Sequence, residues 1–112
     1  MAEFSLKKQF YGTTAGGASV EQYTLTNPSG MSVSFISYGG ILTAIHVPDR
    51  NGNFGNVSLG FPSLAAYETL NSPYFGALIG RYGNRLAHGG FSLGGQSYSV
   101  PVNNGPNSLH GG

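Results

Sequence analysis

The strongest constraint in this sequence is a two-residue alternation that never runs long. Met31, Val33 and Phe35 alternate with Ser32 and Ser34, the pattern of a half-buried strand over 31–37. Tyr23 and Leu25 mark one face of a second run, 20–27. Residues 41–47, ILTAIHV, form a third, which Pro48 ends. Phe4, Leu6 and residues 7–10 suggest an earlier strand, broken by GTTAGGA at 12–18. Every run is stopped by Gly, Asn or Pro. Glycine fills 19 of the 112 positions, against roughly 7% in ordinary proteins. A chain so punctuated makes many turns and few long helices.

The punctuation also suggests how the strands connect. NPSG at 27–30 is a turn. Asn51-Gly52 suits a type I′ hairpin turn, with 56–61 as the return strand. Gly94-Gly95 divides a second hairpin over 90–100. The one good helix candidate is 62–70, with Ser63 as its cap. The apolar stretch 74–80 fits either strand or helix, and 103–112 reads as a loop. Short strands at regular spacing point to an all-β, antiparallel sandwich or barrel. No residue after the last predicted strand closes the sheet.

The bulk chemistry excludes several function classes. Five basic and four acidic residues leave a net charge of +1, which supplies no electrostatic basis for binding nucleic acid or an anionic membrane. No window approaches the ~18 apolar residues of a membrane span. The first ten residues, MAEFSLKKQF, lack a signal-peptide core. With no cysteine, disulfides and thiolate metal sites are excluded, which fits a cytoplasmic location. Asn56-Val57-Ser58 is a formal glycosylation sequon, read as chance without a secretion signal. Phosphate-loop, dinucleotide, nucleophile-elbow and zinc-protease motifs are all missing. His46, His88 and His110 are too far apart in sequence for local metal-ligand spacing. His46 reads as a structural histidine in mid-strand and His88 as an exposed turn residue.

Chemistry concentrates in 80–112. GRYGNRL at 80–86 gathers Arg81, Asn84 and Arg85, and no acidic residue follows Glu68. His110 follows in NNGPNSLHGG, 103–112. Arg, Asn and His offer donors suited to a neutral polyol or a carboxylate. Tyr74, Phe75, Tyr82 and Phe91 could supply an apolar surface for a sugar ring. The residues alone leave alternatives open. Either arginine could be a solvated surface group. Asn103, Asn104 and Asn107 read best as turn formers beside Gly105 and Pro106. His110 could be functional or structural.

The stretch 74–112 resembles the aldose 1-epimerases, or galactose mutarotases. Their GR-x-x-NRI-x-x-G-x-F-x-L-x-G-x-x-Y-x-L-x-x-N-x-G-x-N-x-LHGG run is matched at Gly80, Arg81, Asn84, Arg85, Gly89 or Gly90, Phe91, Leu93, Gly95, Tyr98, Asn103 or Asn104, Gly105, Asn107 and 109–112, with Leu86 for the usual Ile. SYGGILTAIHVPDRNGNFGNVSLGF, 37–61, also looks like the family's N-terminal strands. The resemblance implies an antiparallel β-sandwich of the galactose mutarotase type. It implies interconversion of the α and β anomers of aldohexoses by acid/base ring opening, with no cofactor and no metal. Asn84, Arg85 and His110 match the family's sugar-contacting positions; Arg81 matches a motif position and carries no catalytic role. The family's acid His and base Glu lie beyond the LHGG loop. The resemblance therefore makes residues 1–112 the N-terminal part of a single sandwich domain, truncated at its C-terminal end and inactive alone. Two other readings remain: a non-catalytic carbohydrate-binding β-module, and a structural β-domain with no ligand.

Overall fold

A computed structural model describes residues 3–71 and 73–112. The described residues are mostly antiparallel strand with one short helix, as expected. They divide into two compact units, one ending at residue 78 and the other spanning 79–112.

The first unit is built on a five-stranded meander, β1 (Ser5–Thr13), β2 (Ser19–Thr26), β3 (Ser32–Ile36), β4 (Leu42–Pro48) and β5 (Phe54–Asn56), whose spatial order is its sequence order. β1 does not stop at Gly12, as the GTTAGGA run suggested. It passes through an irregularity between Phe10 and Gly12 and pairs on to Thr13↔Ser19. Gly12 is where helix α1 (Leu64–Leu70) comes down on the strand, since a Cβ there would sit 3.1 Å from Leu64. Ser63 caps α1 as expected, its Oγ accepting from Ala66 N at 3.3 Å. Both Glu68 carboxylate oxygens accept from Ala15 N, at 3.1 and 3.3 Å.

The buried face of β3 is the opposite of the one its alternation suggested. Ser34 and Ile36 are buried, whereas Val33 and Phe35 are only half-buried. The core of the unit is Val20, Ile36, Ile41, Leu64 and Tyr67, so helix α1 settles which parity is inside. Serine tolerates this because its hydroxyl is matched: Thr24 Oγ1 and Ser34 Oγ lie 2.8 Å apart, and Gln22 Nε2 donates to Thr43 Oγ1 at 3.1 Å. Tyr23 stacks on Phe35 on the other face, with ring centroids 5.4 Å apart.

The hairpin after β4 forms, but not with the expected turn. Gly52 has φ of 84° while Asn51 keeps a negative φ, so the loop is not type I′. Asp49 organises it instead: Oδ1 accepts from Asn51 N at 2.7 Å and Asn53 N at 2.9 Å. The return strand is Phe54–Asn56, shorter and earlier than 56–61. Asn56 ends the ladder because its Oδ1 accepts from Ile45 N (2.9 Å) and Ser58 N (3.0 Å), replacing a main-chain acceptor. Residues 74–80 are neither strand nor helix. Asn71 turns the chain there, accepting from Phe75 N at 2.7 Å and donating to Phe75 O at 3.2 Å. Leu42 N then donates to Gly76 O and Leu78 N to Gly39 O.

The second unit contains β6 (Arg85–Leu86), a single 3-10 turn (Ala87–Gly89), the hairpin β7 (Gly90–Leu93) with β8 (Gln96–Ser99), and β9 (Ser108–Leu109). Gly94 and Gly95 turn the hairpin at φ of 60° and 78°, as their sequence suggested. The tail is not merely a loop. β9 pairs antiparallel with β6, and an isolated bridge joins Asn104 to Asn107. Among the described residues no helix is long and apolar enough to cross a membrane.

Candidate functional site

Strand pairing brings residues 26 positions apart into contact. β6 and β9 match Arg85 with Leu109 and Leu86 with Ser108. Asn84 immediately precedes β6 and His110 immediately follows β9, so both ends meet. His110 N donates to Asn84 O at 2.9 Å, and Asn84 N donates to His110 Nδ1 at 3.0 Å. Both residues hold left-handed backbone, φ 58° at Asn84 and 56° at His110. Asn and His are among the non-glycine residues that enter this region most readily, yet the cost is of order 1–3 kcal/mol each. His88 is a third case in this unit, at 55°.

Arg85 completes the cluster. Its Nε donates to Asn104 Oδ1 at 3.1 Å and its Nη1 to Asn84 Oδ1 at 3.3 Å. Residues 79–112 contain no Asp or Glu, so the guanidinium is held by neutral amides and not by a carboxylate of its own unit. Asn84 and Arg85 are exposed and His110 is half-buried. The three positions singled out from sequence thus form one contiguous polar cluster.

Three asparagines read as turn formers turn out to be its supports. Asn103 clamps the main chain just before His110: Oδ1 accepts from Leu109 N at 2.6 Å and Nδ2 donates to Leu109 O at 3.0 Å. Asn104 holds Arg85, and Asn107 Oδ1 accepts from His88 N at 3.3 Å. The available signal was their density beside a histidine in a unit without carboxylates. Gly111 has φ of 105°, and a Cβ there would collide with the Gly80 carbonyl oxygen, so this loop position requires glycine.

Arg81 makes no hydrogen bond to this cluster among the described residues and sits beside it. It lines a cavity of about 600 Å³ together with Tyr82, Leu86, Phe91, Val100 and Ser108. Gly111, the residue after His110, also lines it, and Gly80 N donates to His110 O at 3.4 Å, so the cavity adjoins the loop that carries His110. Tyr82 and Phe91, suggested as an apolar surface for a sugar ring, line the cavity; Tyr74 and Phe75 are in the other unit. His46 is half-buried within β4, and His88 is exposed. No group of three or more His, Cys, Asp or Glu suited to a metal ion occurs among the described residues.

Comparison with known proteins identifies the family. Residues 21–112 match the family model described as Aldose 1-epimerase. The chain is 48% identical over 98 residues to galactose mutarotase of Mus musculus, covering 88% of this chain and 28% of that protein. It is 44% identical over 109 residues to galactose mutarotase of Sus scrofa, covering 96% and 31%. The crystal structure of galactose 1-epimerase from Lactobacillus acidophilus superposes with a TM-score of 0.66 at 25% identity, covering 98% of this chain and 31% of that one. The chain thus spans less than a third of the length of the curated relatives it matches.

Proposed function

The chain belongs to the aldose 1-epimerase family, and on that premise we propose that its Asn84–Arg85–His110 cluster is part of the sugar site of an enzyme that interconverts aldohexose anomers. The observation that carries this is the convergence of those three side chains, 84, 85 and 110, through the β6–β9 pair. The substrate is an aldohexose such as galactose or glucose, and the location is cytoplasmic.

In the reaction a carboxylate removes the proton from the C1 hydroxyl while an imidazolium protonates the ring oxygen. The C1–ring oxygen bond breaks, the C1–C2 bond rotates, and closure from the other face gives the second anomer. Proton transfers of this kind need groups within hydrogen-bond reach of the sugar. The only acids in this chain are Glu3, Glu21, Asp49 and Glu68, all outside the 79–112 unit. We assign the acid and the base to sequence C-terminal to this chain, making residues 1–112 the N-terminal part of one sandwich domain. Here the chain contributes binding and orientation: Arg85 and Asn84 engage sugar hydroxyls, and His110 lies toward the ring oxygen.

Galactose titrated into ¹⁵N-labelled chain should shift the amides of Asn84, Arg85 and His110, with Arg85→Ala abolishing the shifts. Polarimetry of fresh α-D-glucose with the chain alone should show little mutarotation. Full catalysis would sink the assignment of acid and base. No galactose-dependent shift in the cluster would remove the sugar site itself.

A further inference from the structure

Two Asn-Gly pairs occur in the chain, Asn51-Gly52 and Asn104-Gly105, and all four residues are exposed. Such a pair carries a latent reaction. The glycine nitrogen can attack the side-chain carbonyl carbon of the asparagine, since glycine has no Cβ to obstruct the approach. The structure gives the two pairs opposite surroundings. In the β4–β5 loop Gly52 N donates to Asp49 O at 3.0 Å. The Asp49 carboxylate accepts from Asn51 N at 2.7 Å, so a negative charge is held against this main chain. Arg50 is exposed and makes no hydrogen bond among the described residues. At the other pair, Asn104 N donates to Asn107 O at 3.1 Å and Asn107 N to Asn104 O at 3.0 Å. Gly105 lies between them at φ 57°, and its N–H has no acceptor among the described residues. Asn104 Oδ1 accepts from Arg85 Nε at 3.1 Å, in a unit without Asp or Glu.

We propose that Asn104-Gly105 is a self-modification site, deamidated by water with Arg85 stabilising the intermediate, while Asp49 shields Asn51-Gly52 from the same reaction. Gly105 N gives its proton to hydroxide and bonds to Asn104 Cγ. Negative charge gathers on Oδ1, the atom that already faces the guanidinium. Nδ2 takes a proton from water, which restores the hydroxide, and leaves as ammonia, closing a cyclic imide. Water then opens the ring at either carbonyl and leaves an aspartyl or an isoaspartyl residue at position 104. At Asn51 the same charge builds beside a carboxylate, and the glycine N–H is already committed to Asp49 O. The product acts on Arg85. An aspartyl group turns its neutral contact into an ion pair. The isoaspartyl form adds a main-chain carbon where Asn104 bridges to Asn107. None of this depends on which ligand the cluster takes.

The full chain, kept at mildly alkaline pH both folded and in denaturant, tests this, with tandem mass spectrometry of its peptides reading ammonia loss at each asparagine. The ratio of the Asn104 rate to the Asn51 rate should be about tenfold higher in the folded chain than in the denatured one. An unchanged or lower ratio overturns the proposal. Arg85→Met should return the ratio to its denatured value, while Arg85→Lys, which keeps the charge, should stay within about threefold of the parent. A methionine variant that keeps the parent ratio removes Arg85 from the reaction, and so does a lysine variant that loses it. The Leu109 amide shift reports whether the β6–β9 pair survives the methionine; where it moves, the lysine variant decides. Asp49→Asn keeps the Oδ1 acceptor and removes the charge, so the Asn51 rate should rise by about threefold or more. No rise would end the shielding role of Asp49.

Discussion

Residues 3–78 and 79–112 are held together by different forces. The first unit has a five-stranded sheet with Val20, Ile36, Ile41, Leu64 and Tyr67 buried on one side. The second has two-stranded pairings, and its buried residues are Gly89, Ser108 and Leu109. What replaces an apolar core there is side-chain to main-chain hydrogen bonding, chiefly from asparagine. Of the four non-glycine residues at positive φ among those described, three lie in the second unit. Apolar burial stabilises a sheet without fixing the direction of any one group. Hydrogen-bonded, left-handed backbone stabilises less but aims individual N–H groups, which is what a polar binding site requires.

The sharpest way to break this contrast is Ile36→Ala, at the most deeply buried side chain of the first unit. It should cost about 2–5 kcal/mol and be read by hydrogen exchange. Loss of protection should centre on β2 and β3. Equal loss at Leu109 would make the two units one cooperative structure. The complementary cut is Asn103→Ala, which orphans the Leu109 N–H and leaves the Leu109 C=O with Gly112 N alone. An expected ~1–3 kcal/mol should appear as lost protection in β6 and β9, with Val20 unchanged.

A finer probe asks how tightly the first unit is packed. Tyr67 Oη is buried with no hydrogen-bond partner among the described residues, and a Cβ at Gly60 would collide with it. Gly60→Ala should destabilise by ~1–3 kcal/mol through overpacking. Tyr67→Phe removes an unsatisfied hydroxyl and should leave stability unchanged or slightly raised, and it should relieve the Gly60→Ala penalty. Thermal unfolding of the two single variants and the double variant checks this.

The smallest effect concerns a loop of the first unit that behaves like the second. Main-chain N–H groups of Asn53 and Asn51 hold the Asp49 carboxyl below its ordinary value of 3.8. A depressed carboxyl pKa stabilises the folded state above the unfolded pKa, and the effect is lost as pH falls through the folded one. The Asn51 and Asn53 amide shifts should therefore titrate at lower pH than an unperturbed aspartate, and Asp49→Asn should remove the transition.

Much of this was legible in the sequence because it depends on neighbours. Alternation marked β2, β3 and β4, paired glycines placed the β7–β8 turn, and Ser63 marked the start of α1. The Asn-Arg and LHGG motifs pointed to Asn84, Arg85 and His110. What stayed hidden depends on partners distant in the chain. Which parity of β3 is inside was decided by a helix that arrives some thirty residues later, and period two is symmetric until something covers one face. Asn103, Asn104 and Asn107 have the composition of any turn; only the β6–β9 pairing gives their carbonyls Leu109, Arg85 and His88 to bind. The sequence by itself determined the strand content and the family. Tertiary structure alone decided which face is core and which way each polar group points, because a hydrogen bond's direction belongs to the pair and not to either residue.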